Sequence, residues 1–471
     1  MNPRRLLALA AAGLLLAGCT SFTATVSAEP SSSLPVGRAA CPASRARPDP
    51  ERPVVTLDFR LADDRRSVTG TETVTFTPDR ATGELVFRLV PNGPDSAPAG
   101  SRLVVDAVRG YDVAGSRYAA AGARAPGGLY VVALDHVLRP GRSTEVQLDF
   151  SLTLGRGTFE RIGAAASVSW WGSGAPLLAW EPGVGWARDP FVALLGETAT
   201  SPAADTTVRV SAPQDLTVLM TGAQAAPSPA RNGRRTWTSV EPVARDVSVA
   251  VGDFTTAQRT TADGVRVTTG VLPGAALDAG MLADWTTAAI GALQARFGRY
   301  PYRTLTVALL PDYSGGIEYP SAILEASPDR SVLVHEVAHM WFYGMVGNSQ
   351  FRNPWLDEAF ATYAEAILHP AAATQLRRAL ALPGPVGAPM SGFSGDRQYF
   401  SLVYGKGAAA LLTARDAAGH AAFDAALRCY ADAAAWRIAT PADLATALGD
   451  LPRAMAVLTR AQALAAADLP R

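Results

Sequence analysis

The chain has 471 residues, enough for two or three domains, and its content of 48% hydrophobic and 18% charged residues is typical of a folded globular protein. Its 42 basic and 42 acidic residues cancel, so the overall charge gives no indication of nucleic-acid binding, and we expect no nucleic-acid partner. The composition therefore directs attention to individual motifs.

The first residues are typical of a bacterial export signal. Arg4 and Arg5 precede an apolar run at residues 6–17 that is too short to span a bilayer as a mature helix. The letters L-A-G-C ending at Cys19 resemble a lipobox, in which the cysteine is acylated after cleavage. We expect residues 1–18 to be a lipoprotein signal peptide and Cys19 to anchor the protein to the extracytoplasmic membrane surface. A plain secretory signal is the alternative.

A polar segment follows the signal. Residues 19–50 are rich in Ser, Pro, Ala and Arg and lack periodicity, which predicts a flexible tether. Export permits a disulfide between Cys41 and Cys429, which would attach the end of the tether to the C-terminal helices. Two free thiols are the alternative, and the spacing does not decide between them.

Strand periodicity dominates residues 51–262. In one run Leu57, Phe59 and Leu61 alternate with polar residues, and clusters of Gly, Pro, Asn and Asp separate such runs. This pattern predicts an antiparallel β-sandwich domain. The tryptophan-rich segment 170–186 is interpreted as packing between strands. The alternative is a wall of a substrate cleft that brings Glu181 near an incoming amine.

Helical periodicity begins near residue 270 and predicts an α+β domain at 263–415, followed by a helical tail at 416–471. A strand is predicted at 304–310, and Thr440 is a good N-cap before Pro441. The predicted helices are 277–297, one starting near Asp329, 355–368, 404–414, 421–435 and a stretch from residue 440 to the end.

The segment H-E-V-A-H at residues 335–339 is the most informative motif of the chain. His335 and His339 are four residues apart and so lie on one face of a helix, where both imidazoles can reach one tetrahedral Zn²⁺. Glu336 lies between them and can take a proton from water at the open metal position. Eighteen residues separate His339 from Glu358, the natural third ligand. We expect one zinc ion per chain.

These motifs resemble those of the aminopeptidase N-like gluzincins, a family that includes leukotriene hydrolases. The similarity rests on H-E-V-A-H, on W-L-D-E-A-F-A-T-Y-A-E from residue 355, on G-G-I-E-Y-P from residue 315 and on Y-G-K-G-A-A-A-L-L from residue 404. The resemblance covers most of the mature chain. It implies a saddle-shaped β domain followed by a thermolysin-like catalytic domain, and so an α+β multidomain protein.

The resemblance also implies roles for individual residues. His335, His339 and Glu358 match the zinc ligands, and Glu336 matches the general base. In the Gly315-Gly316 loop, Glu318 matches the carboxylate that holds the free α-amine of a substrate. Tyr404 matches the tyrosine that stabilises the tetrahedral oxyanion, an effect worth about 3 kcal/mol in other enzymes.

Three other features complete the comparison. Asp357, next to a ligand, could orient a histidine. The family loop commonly reads G-x-M-E-N, whereas Ile317 and Tyr319 stand here at the Met and Asn positions, so the anchoring of the amine could differ. The chain ends before the large helical C-terminal domain of full-length aminopeptidases, so we expect a more open cleft.

The predicted function is that of a monomeric, lipid-anchored zinc aminopeptidase acting on peptides with a free N-terminus. One alternative is a zinc endopeptidase or an epoxide hydrolase. The other is a non-catalytic surface protein that is stabilised by zinc. Glu336 argues against the last, because a structural zinc site is closed and needs no general base.

Overall fold

The structure is a computed structural model that describes residues 41–42, 44–156, 161–165, 167–196, 199–311 and 315–470. The predicted signal peptide, the predicted lipid site Cys19 and most of the predicted tether lie outside these ranges. Among the described helices, none has the length and apolar character needed to cross a bilayer.

The N-terminal half consists of strands, as the period-two pattern predicts. Alternate residues of each long strand are buried, for example Leu57, Phe59 and Leu61. The strands are β1 Val54–Leu61, β2 Ser67–Phe76, β3 Thr82–Arg88, β4 Arg102–Arg109, β5 Val113–Ala119, β6 Leu129–Leu138, β7 Thr144–Thr153, β8 Ile162–Ala165, β9 Val168–Gly172, β10 Leu177–Leu178, β11 Trp180–Glu181, β12 Gly185–Trp186, β13 Ala204–Pro213, β14 Thr217–Met220, β15 Ala223–Gln224, β16 Arg234–Ala244 and β17 Ser248–Gly252.

Three larger sheets and the two-stranded sheet β11-β12 build this β domain from the described strands. The largest has the order β15-β16-β13-β1-β2-β7-β4, and two four-stranded sheets have the orders β10-β3-β6-β5 and β14-β17-β9-β8. The first strand pairs with β2 in the antiparallel sense but with β13 in the parallel sense. The domain is therefore not purely antiparallel, because the chain returns to its first strand through a long connection.

The C-terminal half contains one mixed sheet and a set of helices. The sheet order is β18-β19-β20-β22-β21, which leaves β21 at an edge. Its strands are β18 Thr255–Thr260, β19 Arg266–Val271, β20 Thr304–Leu309, β21 Gly316–Tyr319 and β22 Ala322–Glu325, and the short strands β23 Gly347–Asn348 and β24 Ile438–Ala439 pair separately. The helices are α1 Ala279–Phe297, α2 Arg330–Ala338, α3 Trp355–Leu368, α4 Pro370–Leu376, α5 Asp396–Tyr399, a π-helical segment Phe400–Lys406, α6 Gly407–Ala418, α7 His420–Ala433, α8 Pro441–Ala447 and α9 Pro452–Arg460.

One domain boundary differs from the one expected. Strands β18 and β19 belong to the C-terminal sheet, so this unit begins near residue 255 rather than 263. A period-two pattern cannot show which sheet a strand joins. The predicted helical tail packs on this same unit, because Leu444 and Leu458 lie in the same hydrophobic core as Val337 of α2.

The N-terminal segment connects the two halves of the molecule. Cys41 and Cys429 form a disulfide with 5.2 Å between their Cα atoms, which answers the question that their spacing left open. Beside it, the Ala46 amide donates to the Asp432 carbonyl at 2.8 Å, and Arg45 lies 3.1 Å from the Asp432 carboxylate. The segment thus runs from α7 to the first strand of the β domain.

A separate hydrophobic cluster joins the β domain to the edge of the C-terminal sheet. Trp170, Leu219 and Ala250 from the β domain pack with Ile317 and Leu324 of the edge hairpin β21–β22. The position of this hairpin therefore depends on both halves of the molecule.

Candidate metal centre and active site

Helix α2 carries the H-E-V-A-H motif. It begins after Asp329, whose carboxylate accepts a hydrogen bond from the Ser331 amide at 2.8 Å, as a capping residue does. Val334 and Val337 are buried in the core and fix the rotation of the helix. The helix ends at His339, so the second histidine occupies the C-cap, one turn beyond His335.

The predicted ligands lie together. The Nε2 atom of His335 is 3.3 Å from Glu358 Oε2, and the Nε2 atom of His339 is 3.5 Å from the same oxygen. Ligand atoms that lie ~2.0–2.2 Å from a tetrahedral zinc ion are roughly 3.3–3.6 Å from one another. These three side chains therefore have both the chemistry and the spacing that hold a zinc ion, and their ligand atoms all fall within 4.8 Å of one another.

A carboxylate near the Nδ1 atom of each imidazole orients the ring. His339 donates through Nδ1 to Asp357 Oδ1 at 2.7 Å, and Gln350 donates to the second oxygen of Asp357 at 2.6 Å. The Nδ1 atom of His335 lies 3.7 Å from Glu365 Oε2. Carboxylates placed behind the rings point Nε2 towards the centre and raise the basicity of the imidazoles.

Glu336, between the two histidines on helix α2, is buried against the start of strand β21. It is 4% exposed, and its Oε2 atom has no hydrogen-bond partner among the described residues. Its side chain packs against Gly316, where an added Cβ would overlap Glu336 Cγ. The absence of a side chain at Gly316, in the G-G-I-E-Y-P loop, thus leaves space for Glu336, the predicted general base. The neighbouring Gly315 accepts a backbone hydrogen bond from Ala326 at 2.9 Å.

Glu318 faces the same centre from the edge strand β21. Its Oε2 atom is 4.0 Å from His339 Nε2, while its Oε1 atom has no hydrogen-bond partner in the described part of the chain. The residue is 4% exposed. A buried carboxylate oxygen without a donor is costly, and a bound ammonium group would satisfy it.

Tyr404 lies beside the first histidine. Its ring stacks on that of His335, with 6.0 Å between centroids and 5° between planes. The residue lies within the π-helical segment 400–406, so the helix predicted to start at Tyr404 in fact starts earlier. A π-helical turn inserts an extra residue and commonly marks a functional site. Tyr399, at 5.7 Å from the Tyr404 ring, is buried beside it.

Burial and carboxylates determine the protonation of the cluster. Burial raises the pKa of Glu318 to about 8. Burial alone would lower the pKa of His335, but hydrogen bonds to Glu358 and Glu365 outweigh it and raise that pKa to about 10. The cluster therefore favours positive charge at its centre, which a divalent cation supplies.

The sequence motifs did not predict three residues at this site: Glu365, Gln350 and Glu325. Glu365 could have been found, because it follows Glu358 by seven residues on one helix face. Gln350 and Glu325 carry no such signal. Glu325 is fully buried, and its Oε1 atom accepts from the Ser327 amide at 2.9 Å. Burial, and after it the nearby carboxylate of Glu336, raise the pKa of Glu325 well above its ordinary value.

The tryptophan-rich segment packs within the β domain. The rings of Trp180 and Trp186 meet at 4.7 Å, and both contact Phe76. Glu181 forms an ion pair with Arg352, which follows the metal helix in sequence. This arrangement favours the packing interpretation over an amine-binding role for Glu181.

Comparisons with known proteins agree with the site. Residues 318–380 match the peptidase family M1 domain. An aminopeptidase N from Streptomyces lividans is 29% identical over 112 residues, which are 20% of this chain and 13% of that protein. Endoplasmic reticulum aminopeptidase 2 from Bos taurus is 27% identical over 139 residues, 26% of this chain and 15% of that protein. The matched segments thus span about one seventh of these curated relatives.

The fold is similar over a much larger share of the chain. An M1 zinc metallopeptidase from Deinococcus radiodurans superposes with a TM-score of 0.64 at 23% identity, covering 91% of this chain and 97% of that one. A variant from the same organism, crystallised with a Tyr-Ser-Ala substrate, gives 0.64 at 21% identity over 89% and 96%. These matches confirm the predicted resemblance and fold class. The segment that matches the peptidase family M1 domain contains His335, His339 and Glu358, the three predicted zinc ligands.

Proposed function

We propose that the protein is a zinc aminopeptidase that removes N-terminal residues from peptides by attack of water. The observation that carries this proposal is the buried carboxylate of Glu318, which lies 4.0 Å from a metal-binding histidine and has an oxygen without a described partner. A fixed carboxylate at that distance selects a protonated amino terminus next to the scissile bond. The names of the matched relatives, both aminopeptidases, support the same activity.

Each residue of the site has a separate role in the proposed reaction. His335, His339 and Glu358 would hold the zinc ion, which would supply the Lewis acidity that polarises the scissile carbonyl and makes water more acidic. Glu336 accepts the proton of that water and passes it to the leaving amine. The Tyr404 hydroxyl donates to the developing oxyanion. Glu318 holds the α-amine, which fixes the first peptide bond over the centre.

The test uses aminoacyl-arylamides and short peptides, each in a free and an N-acetylated form. We expect only the free forms to be cleaved, and a chelator to abolish the cleavage. Equal cleavage of acetylated peptides would indicate an endopeptidase and reject the role of Glu318. Turnover of an epoxide without peptide cleavage would indicate an epoxide hydrolase.

A substitution separates the enzyme from a zinc-stabilised binding protein. Glu336→Gln should retain stoichiometric zinc and lose cleavage by at least ~10³-fold, because the general base is gone while the ligands remain. Glu145→Gln, the same change at an exposed position of strand β7, serves as the control. Unchanged cleavage by the Glu336 variant would refute the mechanism.

We also propose that the protein acts at the extracytoplasmic membrane surface through a lipid on Cys19. The disulfide between Cys41 and Cys429 supports export, since such bonds persist in oxidising compartments. Metabolic labelling with palmitate should mark the wild type but not Cys19→Ala. An unlabelled wild-type protein recovered in the soluble fraction would contradict the anchor.

A further inference from the structure

Tyr319 is a residue of the catalytic sheet whose side chain is buried in the β domain. It is fully buried, and its hydroxyl accepts a hydrogen bond from Arg161 Nη1 at 3.3 Å. Strand β9 approaches it at Gly172, where any Cβ would overlap the hydroxyl. The β domain therefore contains a pocket shaped for this phenol, at the position where the related loops commonly carry Asn.

The walls of this pocket are fixed to one another. The Gly172 amide donates to the Arg161 carbonyl at 2.8 Å, so the two residues that contact the phenol are held in register. The Ser173 hydroxyl, next to Gly172 in sequence, donates to the carboxylate of Asp246. A satisfied buried network of this kind specifies one arrangement of its members.

A second contact fixes the other end of the turn that follows Tyr319. Ser321 has a φ of 55° and lies between strands β21 and β22. Its hydroxyl accepts from the Gly222 amide at 3.0 Å and donates to Glu241 at 2.8 Å, and both partners belong to the β domain. The edge hairpin is therefore held by the β domain at two points.

Glu318 immediately precedes Tyr319 in strand β21. Successive side chains of a strand point to opposite faces, so Tyr319 enters the β domain while Glu318 faces the metal centre. We propose that Arg161 and Tyr319 are positioning residues that fix Glu318 relative to the metal, and so determine how well the α-amine of a substrate is held. This inference rests on the proposed aminopeptidase function.

The test compares kinetic constants for Tyr319→Phe, which removes the hydroxyl and keeps the ring. We expect KM for a free aminoacyl-arylamide to rise by ~10-fold with kcat changed by less than ~3-fold, because a binding contact common to ground and transition state is weakened. The inhibition constant of an L-amino acid, used as a competitive inhibitor, should rise by ~10-fold in this variant, and that of its des-amino analogue by less than ~2-fold. Zinc content should not change.

Two further variants examine the mechanism. Arg161→Lys keeps the charge but not the fork of donors, and it should give the same selective loss of amine binding. The effects of the two substitutions should not add, since both break one contact. Tyr430→Phe is the matched control. Tyr430 is likewise buried, but its hydroxyl has no partner among the described residues, and we expect wild-type KM.

The outcomes are distinguishable. If Tyr319→Phe lowers thermal stability but keeps the preference for the amino acid over its des-amino analogue, the contact is only structural and the inference is wrong. An additive double variant also overturns it. If the wild type itself shows no preference for a free amine, the proposed function fails, and this inference fails with it.

Discussion

Replacement of Asp357 tests how the protein prepares its metal ligands. Asp357 is fully buried and accepts hydrogen bonds from His339 Nδ1 at 2.7 Å and from Gln350 Nε2 at 2.6 Å. Asn has nearly the same shape. The Gln350 amide can rotate to accept from it, because Gln350 Oε1 has no described partner. Asp357→Asn should therefore keep the geometry and remove mainly the negative charge behind the imidazole.

The expected loss of zinc affinity follows from the hydrogen bond between His339 and residue 357, whose acceptor changes from charged to neutral. A hydrogen bond to a charged group contributes about 1.5–3 kcal/mol and a neutral one about 0.5–1.5 kcal/mol, so the loss is about 1–2 kcal/mol. Zinc affinity should fall by roughly 5–30-fold, within the range seen when such partners of metal ligands are replaced. Asp357→Ala should lose more, because it also leaves the His339 and Gln350 donors buried without an acceptor.

The assay is a competition for zinc against a chromophoric chelator, with Asp106→Asn in strand β4 as the control. Asp106 lies in an exposed part of the β domain, so its replacement should leave zinc affinity unchanged. A zinc affinity of Asp357→Asn within twofold of wild type would refute the reasoning. So would an Asp357→Ala variant that binds zinc no worse than the Asn variant.

Three further predictions concern other parts of the molecule. Tyr404→Phe should lower kcat by ~10²–10³-fold with zinc retained and KM little changed, as measured by steady-state kinetics, because one oxyanion donor is lost. Cys41→Ser with Cys429→Ser should lower the free energy of unfolding by about 2–4 kcal/mol in chemical denaturation, because the bond closes a loop of 388 residues in the unfolded chain. Burial raises the pKa of Glu241 to about 7 from an ordinary value near 4.5. The stability that its neutral form contributes is therefore complete below pH 4.5 and is lost as the pH rises through 7. The free energy of unfolding of the wild type should fall by about 2–3 kcal/mol more between pH 5 and 8 than that of Glu241→Gln, as measured by chemical denaturation at each pH.

The parts of the site that are close in sequence were predictable. The histidine pair and Glu336 share one helix, whose period places the histidines on one face, and Glu358 lies in the first turn of the next helix, at the spacing from which the third ligand was predicted. The π-helical turn before Tyr404 was not predictable, because an extra residue within a helix leaves the apolar pattern almost unchanged.

Contacts between distant segments could not be read from periodicity. Strand β18 has the same alternation as the β domain before it but joins the catalytic sheet. Glu325 lies in a strand of buried residues, and only its electrostatic interaction with Glu336 in the fold reveals its relation to the site. Arg161 directly precedes strand β8 of the β domain and meets Tyr319 across 158 residues of chain.

The edge position of β21 explains why such distant contacts matter for the chemistry. This strand has a single neighbour, β22, in its sheet, so ladder hydrogen bonds restrain it on one side only. The packing of Ile317 and the buried partners of Tyr319 and Ser321 supply the remaining restraint from the β domain. A catalytic unit without the β domain would retain all three metal ligands yet lose these restraints on Glu318. Metal binding and recognition of the amine are therefore separable in this protein: the first depends on two helices, and the second depends on the interface between the two domains.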